Sequence, residues 1–131
     1  MNVIVCIDNH YGMMYNNRRQ SRDEIVIGKI KEIVGSKKLY ANEYSSRIFD
    51  GFCTIVHEPL QLDDNAYCFV ENIDILPYLS KIQHLYIFKW NRDYPYDFVL
   101  NTSYREKFHL VSREDFKGKS HDNITLEVWG R

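Results

Sequence analysis

Apolar residues along this chain follow two rhythms. Short continuous runs recur, as in Val3-Ile4-Val5-Cys6-Ile7, Ala66-Tyr67-Cys68-Phe69-Val70 and His84-Leu85-Tyr86-Ile87-Phe88-Lys89-Trp90. A run with no polar alternation predicts a strand covered on both faces, as in a parallel sheet. The second rhythm is helical. Val26, Ile30, Ile33 and Val34 stand four and three apart with Ile27 beside them, which predicts one apolar helix face over 22–34. Ser21 and Glu24 have the spacing of a capping box at its start. Gly35 is placed to end it in the left-handed conformation.

The remaining pattern fills in the order of elements. Residues 38–41 predict a strand, and Asn42 a cap for a short helix over 43–49. Residues 52–57 predict a further strand, followed by a loop at Pro59 and Asp63-Asp64-Asn65. Asp74 can cap a helix to about Ile82, with Pro77 tolerated in its first turn. Phe98-Val99-Leu100 predicts a short edge piece. Residues 107–112 and 124–129 alternate around the polar turn 118–123, which predicts an antiparallel hairpin with Phe108, Leu110 and Ser112 sharing a face. Strand–helix units closed by a hairpin give an α/β fold, with a mostly parallel sheet flanked by helices and an antiparallel C-terminal hairpin.

Composition narrows this picture. A chain of 131 residues, 44% apolar and 27% charged, predicts one domain over 1–131 with a single core. The formal net charge of -1 gives no global field toward nucleic acid or a membrane, so nucleic acid as a partner would need a local basic patch. No run approaches the ~18 apolar residues of a membrane span, and no signal peptide is visible, so the expected location is cytoplasmic. Cys6, Cys53 and Cys68 each lie in an apolar run without a C-x-x-C spacing, which predicts reduced, buried thiols. The five histidines are scattered singly, without metal-ligand spacing.

Candidate chemistry concentrates in Gly12–Glu24, the connection from the first strand to the helix. It holds Asn16, Arg18, Arg19, Gln20, Arg22 and Asp23. Connections leaving strand carboxyl ends are where open α/β sheets bind ligands. Arginines beside a helix start oppose its dipole by roughly 0.3–1 kcal/mol per charge, which an anion or carboxylate would offset. Glu43 and Glu71 follow other strands. With Asp8 they could form a carboxylate cluster for Mg²⁺ or Mn²⁺, or they could pair with the arginines. Tyr15 and Tyr44 could stack on a flat ring. Ser45 and Ser46 have no evident base.

The order of elements resembles dihydrofolate reductase in a shortened, eroded form. Three blocks carry the likeness: Val3 to Glu24, the stretch "AYCFVENIDILPYLSKIQHLYIFKW" from Ala66 to Trp90, and the hairpin from Phe108 to Trp129. The resemblance implies that Asp23 matches the carboxylate that anchors an N–C–N edge of the substrate. It also implies where this chain departs. Val70-Glu71-Asn72 stands where the reductases keep a glycine pair for the cofactor pyrophosphate. Asn42-Glu43-Tyr44 stands where they keep a basic residue, and Arg18-Arg19-Gln20 replaces a proline–tryptophan pair. Two acids in the cofactor cleft argue against NADPH, so no cofactor is expected. The chain is also similar to small bacterial proteins of the pattern GMMxNxRRQSxD that carry the label ribonuclease Z. The H-x-H-x-D-H zinc motif of true ribonuclease Z is absent.

Four functional readings follow, the last of them a genuine reductase with a cofactor mode that tolerates Glu71. The first is a dihydrofolate-reductase-like domain without a usable NADPH phosphate site. It would bind a small flat or phosphorylated, nucleotide-like ligand through Asn16, Arg18, Arg19, Gln20, Asp23, Glu43, Tyr44 and Glu71. The second is a metal-assisted phosphodiesterase or ribonuclease using Asp8, Glu43 and Glu71. The third is an interaction protein whose arginine loop contacts a macromolecule. The sequence leaves oligomeric state open.

Overall fold

A computed structural model describes residues 1–62 and 65–131. Asp63 and Asp64, part of the expected loop, lie outside the described residues. A seven-stranded sheet organises the chain. Its members are β1 (Asn2–Ile7), β4 (Leu39–Ala41), β5 (Thr54–Ile55), β6 (Tyr67–Phe69), β7 (His84–Lys89), β9 (His109–Phe116) and β10 (Ile124–Gly130). Their order is β5-β4-β6-β1-β7-β10-β9. The first five run parallel; β10 and β9 run antiparallel at the other edge. β1 lies at the centre, paired with β6 and β7, which is why its run Val3 to Ile7 shows no polar position.

Alternation along β1 divides the core. Val3, Val5 and Ile7 face one layer with Ile75, Leu79, Ile82, Leu100, Tyr104 and Phe108. Ile4 faces the other, against α1 (Glu24–Val34) through Val26, Ile27, Ile30 and Val34. Both layers are needed, because a strand buried on two faces must be covered twice. α1 supplies one cover, while on the other side short 3-10 turns and α3 (Tyr104–Lys107) do the work. Burying an aliphatic side chain contributes about 1.5–3 kcal/mol, so each filled position on α1 matters to the fold.

Several expectations shift in local detail. α1 begins at Glu24 rather than at 22, because Asp23 is its N-cap and accepts from Ile25 N–H at 2.9 Å. Ser21 therefore takes no part in a capping box. Gly35 does follow the helix with a positive φ of 59°, but its ψ of -127° is not the left-handed helical value. The expected helix 43–49 splits into α2 (Glu43–Ser46) and a 3-10 turn, with Asn42 capping Ser45 N–H at 3.0 Å. The expected helix from Asp74 is a 3-10 helix, Leu76–Lys81. The strand expected over 52–57 shortens to two exposed residues, since β5 is the sheet edge and buries neither face. On the opposite edge, Leu110 is exposed although Phe108 is buried. β9 has only β10 beside it and no layer against that part of its face.

The largest difference concerns Gly12 to Arg19. The expected connection is a β-hairpin, β2 (Gly12–Tyr15) and β3 (Arg18–Arg19), and β8 (Phe98–Val99) completes a small second sheet. Asn16 and Asn17 both have positive φ, 52° and 61°. That is the two-residue turn for which asparagine is favoured, because its twist matches the flanking strands. Asp8 ties this sheet to the end of β1. Its buried carboxylate accepts from His10 N–H and Gly12 N–H at 2.8 and 2.7 Å, and from Gln20 Nε2 and Tyr94 N–H at 3.1 and 3.2 Å.

Two glycines test this packing with opposite signs. A Cβ on Gly12 would meet Gln20 Nε2 at 2.5 Å, Tyr96 Cβ at 2.7 Å and Asp8 Oδ1 at 2.9 Å. Gly12→Ala is expected to lower stability by about 1–3 kcal/mol through forced displacement. Gly28 sits inside α1 with nothing within 4 Å of an added Cβ. Gly28→Ala is expected to raise stability by about 0.5–1 kcal/mol through helix propensity. Urea unfolding of the two variants reads both effects.

Candidate functional site

The residues singled out by the sequence separate into an inner group and an outer group. The inner group centres on Asp23 and Glu71, which both line the small space between α1 and the sheet. That space is lined by Cys6, Ser21, Arg22, Asp23, Val26, Ile30, Phe69, Glu71 and Trp90, among others, and has a volume of only about 10 Å³. Such a volume admits at most about one water.

Asp23 is fully occupied. Besides capping α1, it accepts from Lys119 N–H at 3.0 Å, Ser120 N–H at 2.9 Å and Ser120 Oγ at 3.1 Å. His121 Nδ1 lies 2.9 Å from its Oδ2. Gly118 makes this possible, since a Cβ there would stand 2.6 Å from Asp23 Oδ2. Burial by itself raises the carboxyl's pKa. The donated hydrogen bonds from Lys119, His121, Ser120 and Ile25 outweigh it and hold the group well below the ordinary carboxylate range. Its side chain has no exposed surface, so the carboxylate points into the protein rather than into a cleft.

Glu71 is engaged as completely. Arg19 Nε and Nη2 donate to its two oxygens at 2.9 and 3.0 Å, a bidentate pair, and Ser45 Oγ donates at 2.7 Å. Arg19 is held in turn by Tyr44. The Arg19 N–H donates to Tyr44 Oη at 2.9 Å, and the guanidinium lies 4.6 Å from the ring centroid. Burial lowers the Arg19 pKa, but the Glu71 contacts more than reverse this, so the guanidinium keeps its proton. Cys6 is shifted upward, first by burial and then by the Glu71 charge, which keeps it a thiol.

Glu43 does not join this pair. It is exposed on α2, 4.0 Å from Arg47. Asp8 is saturated by its own donors. Among the described residues no three His, Cys, Asp or Glu side chains gather as a metal set would. The carboxylate cluster of Asp8, Glu43 and Glu71 is thus not brought together. A groove of about 270 Å³ remains at the carboxyl ends of β4, β5 and β6, lined by Asn42, His57, Glu58 and Asn72 among others. Asn42 Nδ2 donates to Asn72 Oδ1 across it at 2.9 Å.

The outer group surrounds a second open groove of about 280 Å³, lined by Tyr15, Asn16, Arg18, Arg19, Gln20, Tyr94 and Pro95. Arg18 is exposed and, among the described residues, has no carboxylate within ion-pair distance. Tyr15 is 49% exposed. Gln20 donates to Asp8 and to the Pro95 carbonyl, which leaves its Oε1 without a partner. Tyr94 and Pro95 belong to this wall although no periodic pattern marks them. A loop residue with a hydroxyl carries no such signal.

No protein-family model matches the sequence, and no curated protein does. Solved structures do match. One is dihydrofolate reductase from Enterococcus faecalis complexed with NADP(H) and RAB-propyl, with a TM-score of 0.73 and 8% sequence identity. The match covers 99% of this chain and 95% of that one. The fold is therefore dihydrofolate-reductase-like along nearly the whole chain, and at this identity the likeness concerns the fold alone. No helix among the described residues is long and apolar enough to cross a membrane.

Two predictions follow from the inner group. The depressed Asp23 pKa means that its stabilisation is complete above about pH 4, the unfolded carboxylate value, and is lost as pH falls below it. Asp23→Asn should cost about 2–4 kcal/mol at pH 6, since an amide cannot accept all these donors. The gap between variant and wild type should shrink between pH 4 and pH 2.5 in denaturant titrations. For the second pair, Arg19→Ala and Glu71→Ala should each destabilise, and the double variant should lose about 1–3 kcal/mol less than the sum.

Proposed function

We propose that this chain is a binding domain on a dihydrofolate-reductase-like fold, taking a small anionic ligand with a flat ring in the groove under the β2–β3 hairpin. The observation that carries this reading is the contrast between the two spaces. The interior space is about 10 Å³ with its carboxylates engaged, while the hairpin groove is about 280 Å³ and holds Arg18, which has no ion-pair partner among the described residues. Arg18 supplies the charge and a planar fork suited to phosphate or carboxylate. Tyr15 and Tyr94 supply aromatic surface, and Gln20 adds polar lining to the same groove. Asn16 lies in the turn and adds polar lining. Arg19 serves the site indirectly, by fixing β3 through Glu71 and Tyr44.

The cofactor cleft of the reductases offers less here. The Enterococcus protein is complexed with NADP(H). In this chain Glu71 lies at the end of β6, and its charge is cancelled by Arg19 rather than left to meet a phosphate. A nucleotide-like ligand is therefore expected on the outer face. An interior pterin-like ligand is disfavoured, because Asp23 would have to give up four or more donors to meet it.

Differential scanning with inorganic phosphate, nucleoside mono- and triphosphates, folate and NADPH tests the reading. At a hundredfold excess over Kd a true ligand adds about 2.7 kcal/mol, which is a shift of several degrees. At least one ring-bearing anion should give this shift, and Arg18→Ala should abolish it without lowering the unliganded Tm. A shift that survives in Arg18→Ala, or a panel with no shift at all, would overturn it.

A further inference from the structure

Ser21, which the sequence offers only as a helix cap, occupies a different place. Its Oγ lies 2.9 Å from His121 Nε2, and His121 Nδ1 lies 2.9 Å from Asp23 Oδ2. We propose that Ser21, His121 and Asp23 form a hydroxyl–imidazole–carboxylate relay in which Ser21 accepts an acyl group from a small activated carboxylic ester.

The chemistry of the partners fixes the direction of the relay. Asp23 is ionised and can only accept, so His121 carries its Nδ1 proton toward it. The Nε2 lone pair then faces Ser21, where it can take the hydroxyl proton. The ring cannot rotate out of this line. Trp90 stacks on it at 4.7 Å between centroids with planes 24° apart, and His121 is only 3% exposed. Asp23 is fixed by the backbone of residues 119 and 120 and by its place at the start of α1. Tyr94 Oη lies 3.3 Å from Ser21 Oγ and 3.2 Å from His121 Nε2, so it can donate to the serine while the serine donates to the imidazole. Ser21 alone of the three is partly exposed, and Arg22 lines the same small pit. That gives a held base, an oriented carboxylate and a partly exposed hydroxyl; the pit itself holds no more than about one water, so the ester carbonyl meets Ser21 from the solvent side.

The step balances without a cofactor. Ser21 Oγ bonds to the carbonyl carbon as its proton passes to His121 Nε2. The carbon–oxygen bond to the alkoxy group breaks, the electron pair stays on that oxygen, and it leaves as an alcohol with the proton from His121. Water then attacks the acyl-serine with the same proton transfers, releasing a carboxylic acid and restoring the hydroxyl. This inference does not rest on the ligand-binding reading of the hairpin groove. The relay is complete within residues 21, 23 and 121, and it would stand if Arg18 bound nothing.

The test treats the folded full chain with p-nitrophenyl acetate and, separately, a fluorophosphonate probe, followed by intact mass and peptide mapping. One adduct is expected, on Ser21. It should be absent in Ser21→Ala, and acylation should slow by roughly 100-fold or more in His121→Gln. The pH dependence of acylation in the wild type should also be lost in His121→Gln. Circular dichroism checks each variant. If His121→Gln fails to fold, the comparison of wild type with Ser21→Ala decides, because Ser21 is not a core residue. A wild-type protein left unmodified, an adduct mapped to another residue, or a Ser21→Ala protein labelled like wild type would overturn the assignment.

Discussion

The rest of this structure depends on one buried carboxylate. Asp23 stands where the chain leaves the β2–β3 hairpin and enters α1, and it binds residues 119–121 almost a hundred positions later. An ionised, desolvated carboxylate is costly unless nearly every lone pair finds a donor. Here the donors come from α1's first turn, the β9–β10 turn and His121. The constraint is mutual. The helix cannot tilt without breaking the turn, and the turn cannot move without exposing a charge. The closing hairpin is thus locked to the first helix, with Gly118 small enough to let the carboxylate in.

A second charge beside the same small space is handled in the same way. Glu71 follows the buried strand β6, and Arg19 reaches it from β3. The bidentate geometry and the Ser45 hydroxyl satisfy the carboxylate, and Tyr44 holds the guanidinium from above. Together with Asp23, this pair closes the space between helix and sheet. A cavity between charged groups closes well only when each has a fixed partner, because an unpaired charge would draw in water. The filled interior is a consequence of pairing as much as of apolar packing.

The fold was legible in the sequence where burial is strong. Continuous apolar runs placed β1, β6 and β7 in a parallel sheet, and the four–three spacing placed α1 to within two residues. Legibility failed at edges and turns. β5 and β9 carry exposed apolar residues such as Ile55 and Leu110, so alternation there does not report a core. The hairpin at Asn16-Asn17 was missed because arginines and a glutamine masked its short strands. Within the site, the pairing of Glu71 with an arginine was one of two readings left open by composition. The Asp23–His121–Ser21 line was not legible at all. It joins residues 21, 23 and 121, and no local period connects a loop serine to a distant hairpin turn.

These facts bear on how a fold can change what it does. In an α/β sheet of this kind the strand carboxyl ends are the natural place for a ligand. Charges placed there must be answered either by a ligand or by the protein itself. This chain answers them itself: Asp8 with backbone and side-chain N–H groups, Glu71 with Arg19, Asp23 with a turn and an imidazole. Arg18 is the neighbour left over. β2 and β3 pair Tyr15 with Arg18, so Arg19 turns inward to Glu71 while Arg18 remains at the surface beside Tyr15. Two adjacent arginines on a strand necessarily point to opposite faces. The alternation that lets one close the interior commits the other to the outside, and the same two-residue turn creates both the lock and the groove.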